Sequence, residues 1–184
     1  MVDIGFTGLD SGILDATSPN YITATASKVS ALLAADAKSA TDTFAVASLK
    51  KLSPKSSIAL TRVQAMALSL SAMGSDGTVG FSTNYTFATS RDPDGMIASD
   101  AFDLIGVAEH EIAHLLGFGS SIDGGTPNRM PTLLEQFRFS APNTRATVAG
   151  AAYFSLDDGP SAVLDPLGSS ADFSPGGASE YQAS

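Results

Sequence analysis

The sequence predicts an α+β fold, and three observations carry the prediction. Two stretches, "VDIGFTGL" at the start and "SDGTVGFSTNYTF" from Ser75, alternate apolar and polar residues with the period of a half-buried strand. Residues 22–37 and 61–73 instead repeat their apolar residues at three and four, the period of an amphipathic helix. A third helical stretch, from about Asp103 to Leu116, holds both histidines of the chain. An all-α bundle is the alternative architecture.

Taken in order, the first strand runs into the turn-rich "DSGILDATSPNY". The helix expected from Ile22 to Ala37 gathers Ile22, Val29, Leu32 and Leu33 on one side. Either "TFAVAS" or the "SSIAL" region is expected to add a strand to the sheet, with "KKLSPKSS" as a loop between them. Thr61 is a good N-cap for the next helix, in which Val63, Met66, Ala67 and Leu70 recur, and Gly74 suits its C-terminal end. The Asp76-Gly77 pair marks a turn before the strand around "GTVGFS". "RDPDGMIASD" is a turn segment, after which Asp103 can cap the histidine helix and Gly117 can end it. Further on, "TLLEQFR" predicts a short helix and "AAYFSL" a strand, followed by a Gly/Ser/Pro-rich tail.

With 184 residues, 43% of them hydrophobic and 16% charged, the chain is expected to form one domain, residues 1–184. Ten basic against nineteen acidic residues give a net charge of −9, and Lys50-Lys51 is the largest basic cluster. That balance cannot neutralise a phosphate backbone, so nucleic acid is not an expected partner. The chain contains no cysteine, which leaves His, Asp and Glu as ligands for any transition metal. Its apolar runs are all shorter than a membrane span, and the first residues do not read as a signal peptide. The abundance of Ser, Thr, Ala and Gly over Lys suggests the mature part of an exported protein, so a secreted or extracellular location is expected.

The chemistry sits in "VAEHEIAHLLGFGS", residues 107–120. On a helix His110 and His114 stand about 40° apart, one turn above the other. Asp103, Gly106, Ala113 and Gly117 share their side, while Leu104, Ile105, Ala108, Ile112 and Leu115 lie opposite and are expected to anchor the helix. Small neighbours leave room for an ion and a substrate. The His-Glu-x-x-His spacing suits Zn²⁺: two imidazole nitrogens can reach one ion at about 2.0–2.1 Å, with Glu111 as general base on an activated water. A pair of surface histidines is the plain alternative. It is disfavoured because both histidines of the chain fall in this one motif, with Gly117 following three residues later.

"HEIAHLLGFGS" resembles the metzincin zinc peptidases, whose pattern is HExxHxxGxxH or HExxHxxGxxD. His110, Glu111, His114 and Gly117 match, whereas Ser120 stands where the third ligand would be. The chain is more similar to a bacterial metzincin-like group of exported metalloproteases, leishmanolysin-like in style, whose third histidine lies further downstream in an "SHW"-like stretch. The segments that carry this likeness are Val2 to Thr17, Ser75 to Ser82, Gly106 to Phe118, Pro131 to Ser140 and Tyr153 to Gly159. The resemblance implies a twisted mixed sheet packed on helices with the histidine helix below it, zinc as cofactor, and a peptide or protein as substrate. It also implies that the third histidine and the methionine turn lie beyond Ser184, so that these 184 residues are expected to be a fragment or a short form.

Within the chain, Glu135 and Asp123 are the candidates for a third ligand. Glu135 lies 21 residues after His114, close to the spacing of the third glutamate ligand in thermolysin-like enzymes. Asp123 lies in a Gly-rich loop and reads equally as a turn former. Asp157, Asp158 and Asp165 are loop-placed acids that could hold Ca²⁺ or nothing. The expected function is zinc-dependent endopeptidase chemistry, with "GTVGFSTNY" as the edge along which an extended peptide lies. The alternative is a non-catalytic peptidase-fold domain with an incomplete metal site. Nucleophilic hydrolase chemistry ranks behind both, since the sequence has no G-x-S-x-G elbow.

Overall fold

The computed structural model describes residues 1–90, 96–119, 130–148, 150–160 and 164–167, the last four by their backbone. Its elements in order are β1 (Val2–Thr7), β2 (Asp15–Pro19), β3 (Tyr21–Thr25), α1 (Ala26–Asp36), α2 (Ala40–Lys50), β4 (Ser57–Thr61), α3 (Arg62–Ala67) and β5 (Gly77–Ser82). There follow β6 (Phe87–Ala88), β7 (Phe102–Asp103), α4 (Leu104–Leu115), a 3-10 turn (Leu134–Phe137), β8 (Arg138–Ala141), β9 (Thr144–Arg145), β10 (Ala152–Phe154) and β11 (Leu164–Leu167). The fold is thus α+β, as the sequence predicts. No described helix is long and apolar enough to cross a membrane. The chain divides into two compact units, one comprising Met1–Asn20 with Met73–Leu116, the other Tyr21–Ala72 with Gly117–Phe173.

The first unit is built on a three-stranded sheet in the order β1-β5-β2. β5 runs parallel to β1, with Val2 opposite Gly77 and Thr7 opposite Ser82, and antiparallel to β2, with Asp15 opposite Phe81. The alternation of β5 sends Val79 and Phe81 inward, where they join Leu14, Phe102, Val107 and Leu115 in one buried cluster. Helix α4 closes this core, packing on β2, β5 and β7. β2 is a correction to the sequence reading, which left "DSGILDATSPNY" as turns. Its residues are small and polar, and pairing to β5 rather than intrinsic strand propensity makes it a strand. β5 is a second correction, because it is the central strand and not an edge.

The second unit holds the antiparallel pair β3–β4, helices α1 to α3, and a four-stranded sheet in the order β11-β10-β8-β9. Several expectations change here. Residues Tyr21–Thr25 are strand, and α1 begins only at Ala26, because "YITAT" pairs with Ser57–Thr61 and Thr25 caps the helix by accepting from Lys28 N at 3.3 Å. "TFAVAS" is helical, started by a capping box in which Ser39 and Asp42 satisfy each other's backbone N–H groups, so that "SSIAL" alone supplies a strand. That strand, β4, pairs with β3 rather than joining the sheet of "VDIGF".

Thr61 does cap α3, in a second capping box with Gln64, but the helix stops at Ala67. Leu70 N–H bonds to Ala65 O and Ser69 N–H to Met66 O, the two bonds of a Schellman motif, with Ser69 at φ 58°. Leu70 then packs on the cluster that contains Ala65, which favours the stop over continuation to Gly74. "TLLEQFR" forms a 3-10 turn, Leu134–Phe137, in place of an α-helix. The core of this unit is Ala26, Val29, Leu49, Ile58, Leu60, Ala65 and Phe137.

Asp158 ties α2 to the C-terminal strands of the same unit. Its carboxylate accepts from Ser48 Oγ at 2.7 Å and pairs with Lys51 Nζ at 2.6 Å, with Arg145 Nη2 at 3.5 Å. Burial pushes this carboxyl up, but the hydrogen bonds from Lys51 and Ser48 and the charges of Lys51 and Arg145 outweigh it and hold the group below its ordinary value of 3.8. Asp158 is thus a structural anchor. Because its folded value lies below its unfolded one, its stabilisation is complete above the unfolded value and is lost as pH falls through the folded one. Asp158→Ala is expected to cost about 1–3 kcal/mol at neutral pH and less in acid. Urea unfolding at pH 7 and at pH 3 checks both; an equal loss at the two pH values would contradict the ionic role.

Candidate metal centre

Helix α4 is the element read most directly from sequence. Asp103 Oδ1 accepts from Ile105 N at 3.1 Å at the start, and after the last turn Gly117 adopts φ +99°, a conformation that favours glycine. Within it the one-turn spacing brings the imidazoles together: His110 Nε2 and His114 Nε2 are 3.1 Å apart and the rings meet edge to face. Two nitrogens bound tetrahedrally to one zinc at about 2.0–2.1 Å lie about 3.3 Å apart, so the observed spacing fits a shared ion as well as the hydrogen bond that joins the two rings. Glu111 Oε1 is 3.7 Å from His110 Nε2. His110, Glu111 and His114 form a group whose potential ligand atoms all lie within 4.8 Å of one another.

The helix buries part of the stripe expected to anchor it: Leu115 is in the core and Leu104 and Ala108 pack against it, whereas Ile105 and Ile112 are exposed and Val107 and Glu111 are buried in their place. The sheet meets α4 through β2, and this fixes the roll of the helix about its axis so that Glu111 points inward and the histidines lie at the margin, half-buried. Glu111 is only 3% exposed, and its Oε2 receives no hydrogen bond. A buried carboxylate oxygen without a donor is costly and marks a place where a proton, a water or a cation belongs.

Asp15 joins this group, and sequence reasoning missed it. Along β2 the residues Asp15, Thr17 and Pro19 share the less exposed face, and Thr17 Oγ1 donates to the backbone oxygen of Glu111 at 3.3 Å. Burial, then the charge of Glu111 and a side-chain hydrogen bond with it, push the Asp15 carboxyl up to about 7, against the lowering influence of His110 and His114. The weak alternation of "LDATSP" was the one available signal, and its small polar residues concealed it.

The other acidic candidates have separate roles or separate positions. Ser120 and Asp123 lie outside the described residues, and Asp165 is described by its backbone alone, in β11. Glu135 is buried within its own unit, where Oε2 accepts from Thr132 N at 2.7 Å and so closes the 3-10 turn that carries it. Asp157 accepts from Ser155 Oγ at 2.7 Å. In comparisons with protein-family models, curated proteins and solved structures, the chain matches none.

Proposed function

We propose that this chain carries the catalytic centre of a zinc-dependent endopeptidase with a metzincin-like fold, secreted in its natural setting. The observation that carries the reading is the convergence of His110 Nε2 and His114 Nε2, 3.1 Å apart, beside the buried carboxylate of Glu111. The two imidazoles would hold the ion, and zinc when bound would lower the pKa of a water toward about 7 and polarise the scissile carbonyl. Glu111 takes a proton from the attacking water as its oxygen bonds to the carbonyl carbon. It then returns that proton to the nitrogen as the C–N bond breaks, leaving a carboxylic acid and an amine.

An extended peptide would pair along an outer strand of the sheet. Because β5 is central, the outer strands among the described residues are β1 and β2, and β2 is the one that packs on α4. A peptide on β2 would run beside the histidines.

Zinc affinity measured by competition with a chelator, with peptide hydrolysis on the same samples, tests the reading. The third ligand that catalytic zinc requires is probed by Glu135→Ala. Since Glu135 is occupied in its own turn, this variant is expected to lose about 1–3 kcal/mol of stability and to keep the zinc affinity of the parent. Loss of zinc with retained folding would instead establish Glu135 as a ligand. Zinc bound at His110 and His114 without hydrolysis of any peptide would favour the non-catalytic domain.

A further inference from the structure

Two kinds of contact hold α4 against the sheet. Val107 and Leu115 bury apolar surface in one cluster with Leu14, Val79, Phe81 and Phe102. Burial of this kind has no direction, so it selects the side of the helix that turns inward without fixing the final rotation. Thr17 supplies a directional contact. Its Oγ1 donates to the backbone oxygen of Glu111 at 3.3 Å, and a carbonyl oxygen has a second lone pair, so the helix keeps its own bond there. The donor is itself fixed, because Thr17 sits in the middle of β2 opposite Val79 of the central strand. Close by, a Cβ on Gly77 would lie 2.6 Å from Ser18 O and 2.7 Å from Leu115 Cδ2. Strand β2 and the last turn of α4 therefore meet over that glycine with no spare room.

We infer that Thr17 is a positioning residue: its hydroxyl locks the roll of α4 on β2 and so sets where the histidine pair stands relative to that strand. Its consequence for turnover rests on the peptidase reading above, in which the peptide pairs along β2 while the ion is held from α4. Strand and helix are then separate parts that must be aligned, and a misplacement of about 1 Å can cost about 100-fold in rate. Holding the ion needs no such alignment, since both histidines belong to one helix.

Thr17→Val removes the hydroxyl and keeps the branched shape, whereas Thr17→Ser keeps the hydroxyl. The experiment uses the full chain with ¹³C at the backbone carbonyl of glutamate. It has four glutamates, Glu109, Glu111, Glu135 and Glu180, so the Glu111 resonance is the one lost in Glu111→Gln. In Thr17→Val that resonance is expected to move, and the nuclear Overhauser contact between the Leu115 methyls and Gly77 Hα to change. Thr17→Ser should match the parent in both, and both variants should keep the parent's zinc affinity. In a form of the protein that includes a third zinc ligand, kcat should fall about 10-fold in Thr17→Val and recover in Thr17→Ser.

An unmoved Glu111 carbonyl in Thr17→Val overturns the inference, because the hydroxyl then makes no bond that matters. A moved carbonyl with an unchanged Leu115–Gly77 contact overturns it too, since the bond would not set the roll. Loss of zinc from folded Thr17→Val does the same, by making the hydroxyl a support of the ligands themselves. Thr17 is half-buried, so these changes are expected to leave the chain folded; should Thr17→Val unfold it, Thr17→Ala, which also lacks the donor, is read in its place. Absence of hydrolysis by the parent form would defeat the peptidase reading, and the carbonyl resonance and the Leu115–Gly77 contact would still decide whether Thr17 sets the roll.

Discussion

In a form of the protein that includes a third zinc ligand, Glu111→Gln is expected to leave zinc bound and to lower peptide hydrolysis by at least about 10², the low end for loss of a general base. The amide has nearly the shape of the carboxylate and fills the same buried position, so packing around Val107 and Leu115 is retained. What it loses is the capacity to take a proton. His110→Ala separates the two roles, because it should lose metal and activity together, while Glu111→Gln loses activity alone. Both effects are read from zinc content after dialysis and from initial rates on a generic peptide substrate. Full activity in Glu111→Gln would remove Glu111 from the mechanism, and undiminished zinc in His110→Ala would remove the metal centre.

Gly77→Ala is expected to be the most damaging single change to the first unit. Gly77 has φ +152°, and a Cβ there would lie 2.6 Å from Ser18 O and 2.7 Å from Leu115 Cδ2. The backbone oxygen belongs to the paired strand β2 and cannot move without breaking the ladder, while Leu115 is the residue after His114. Backbone strain and the two close contacts together should cost about 3 kcal/mol, which for a chain of this size lowers Tm by about 6–12 °C. Thermal unfolding followed by circular dichroism measures it. A Tm within about 2 °C of the parent would mean that β2 and α4 are held less firmly than these contacts require.

Legibility varied with how local the determining forces are. Helix α4 was readable to the residue, since Asp103, the one-turn spacing of His110 and His114, and Gly117 are all signals that act within a single turn. The strand "GTVGFS" was readable for the same reason, as alternation reflects its own two faces. The limits of α1 and α3 were not, because one depends on pairing between residues far apart in sequence and the other on Leu70 finding the core. "TFAVAS" has both periods in it, and the capping box at Ser39 and Asp42 decided for helix.

The sequence by itself determined the α+β class, the histidine helix and its caps, and the pairing of His110 with His114. It determined these because caps and i, i+4 contacts form between neighbours on one helix. The tertiary structure decided how that helix is rolled against the sheet, and therefore that Glu111 is buried while Ile105 and Ile112 are exposed. It also made β2 a strand, put β5 in the centre, and brought Asp15 to Glu111 from 96 residues away in sequence. Such contacts are set by which strands pair and which faces pack, and no pattern confined to one segment encodes them.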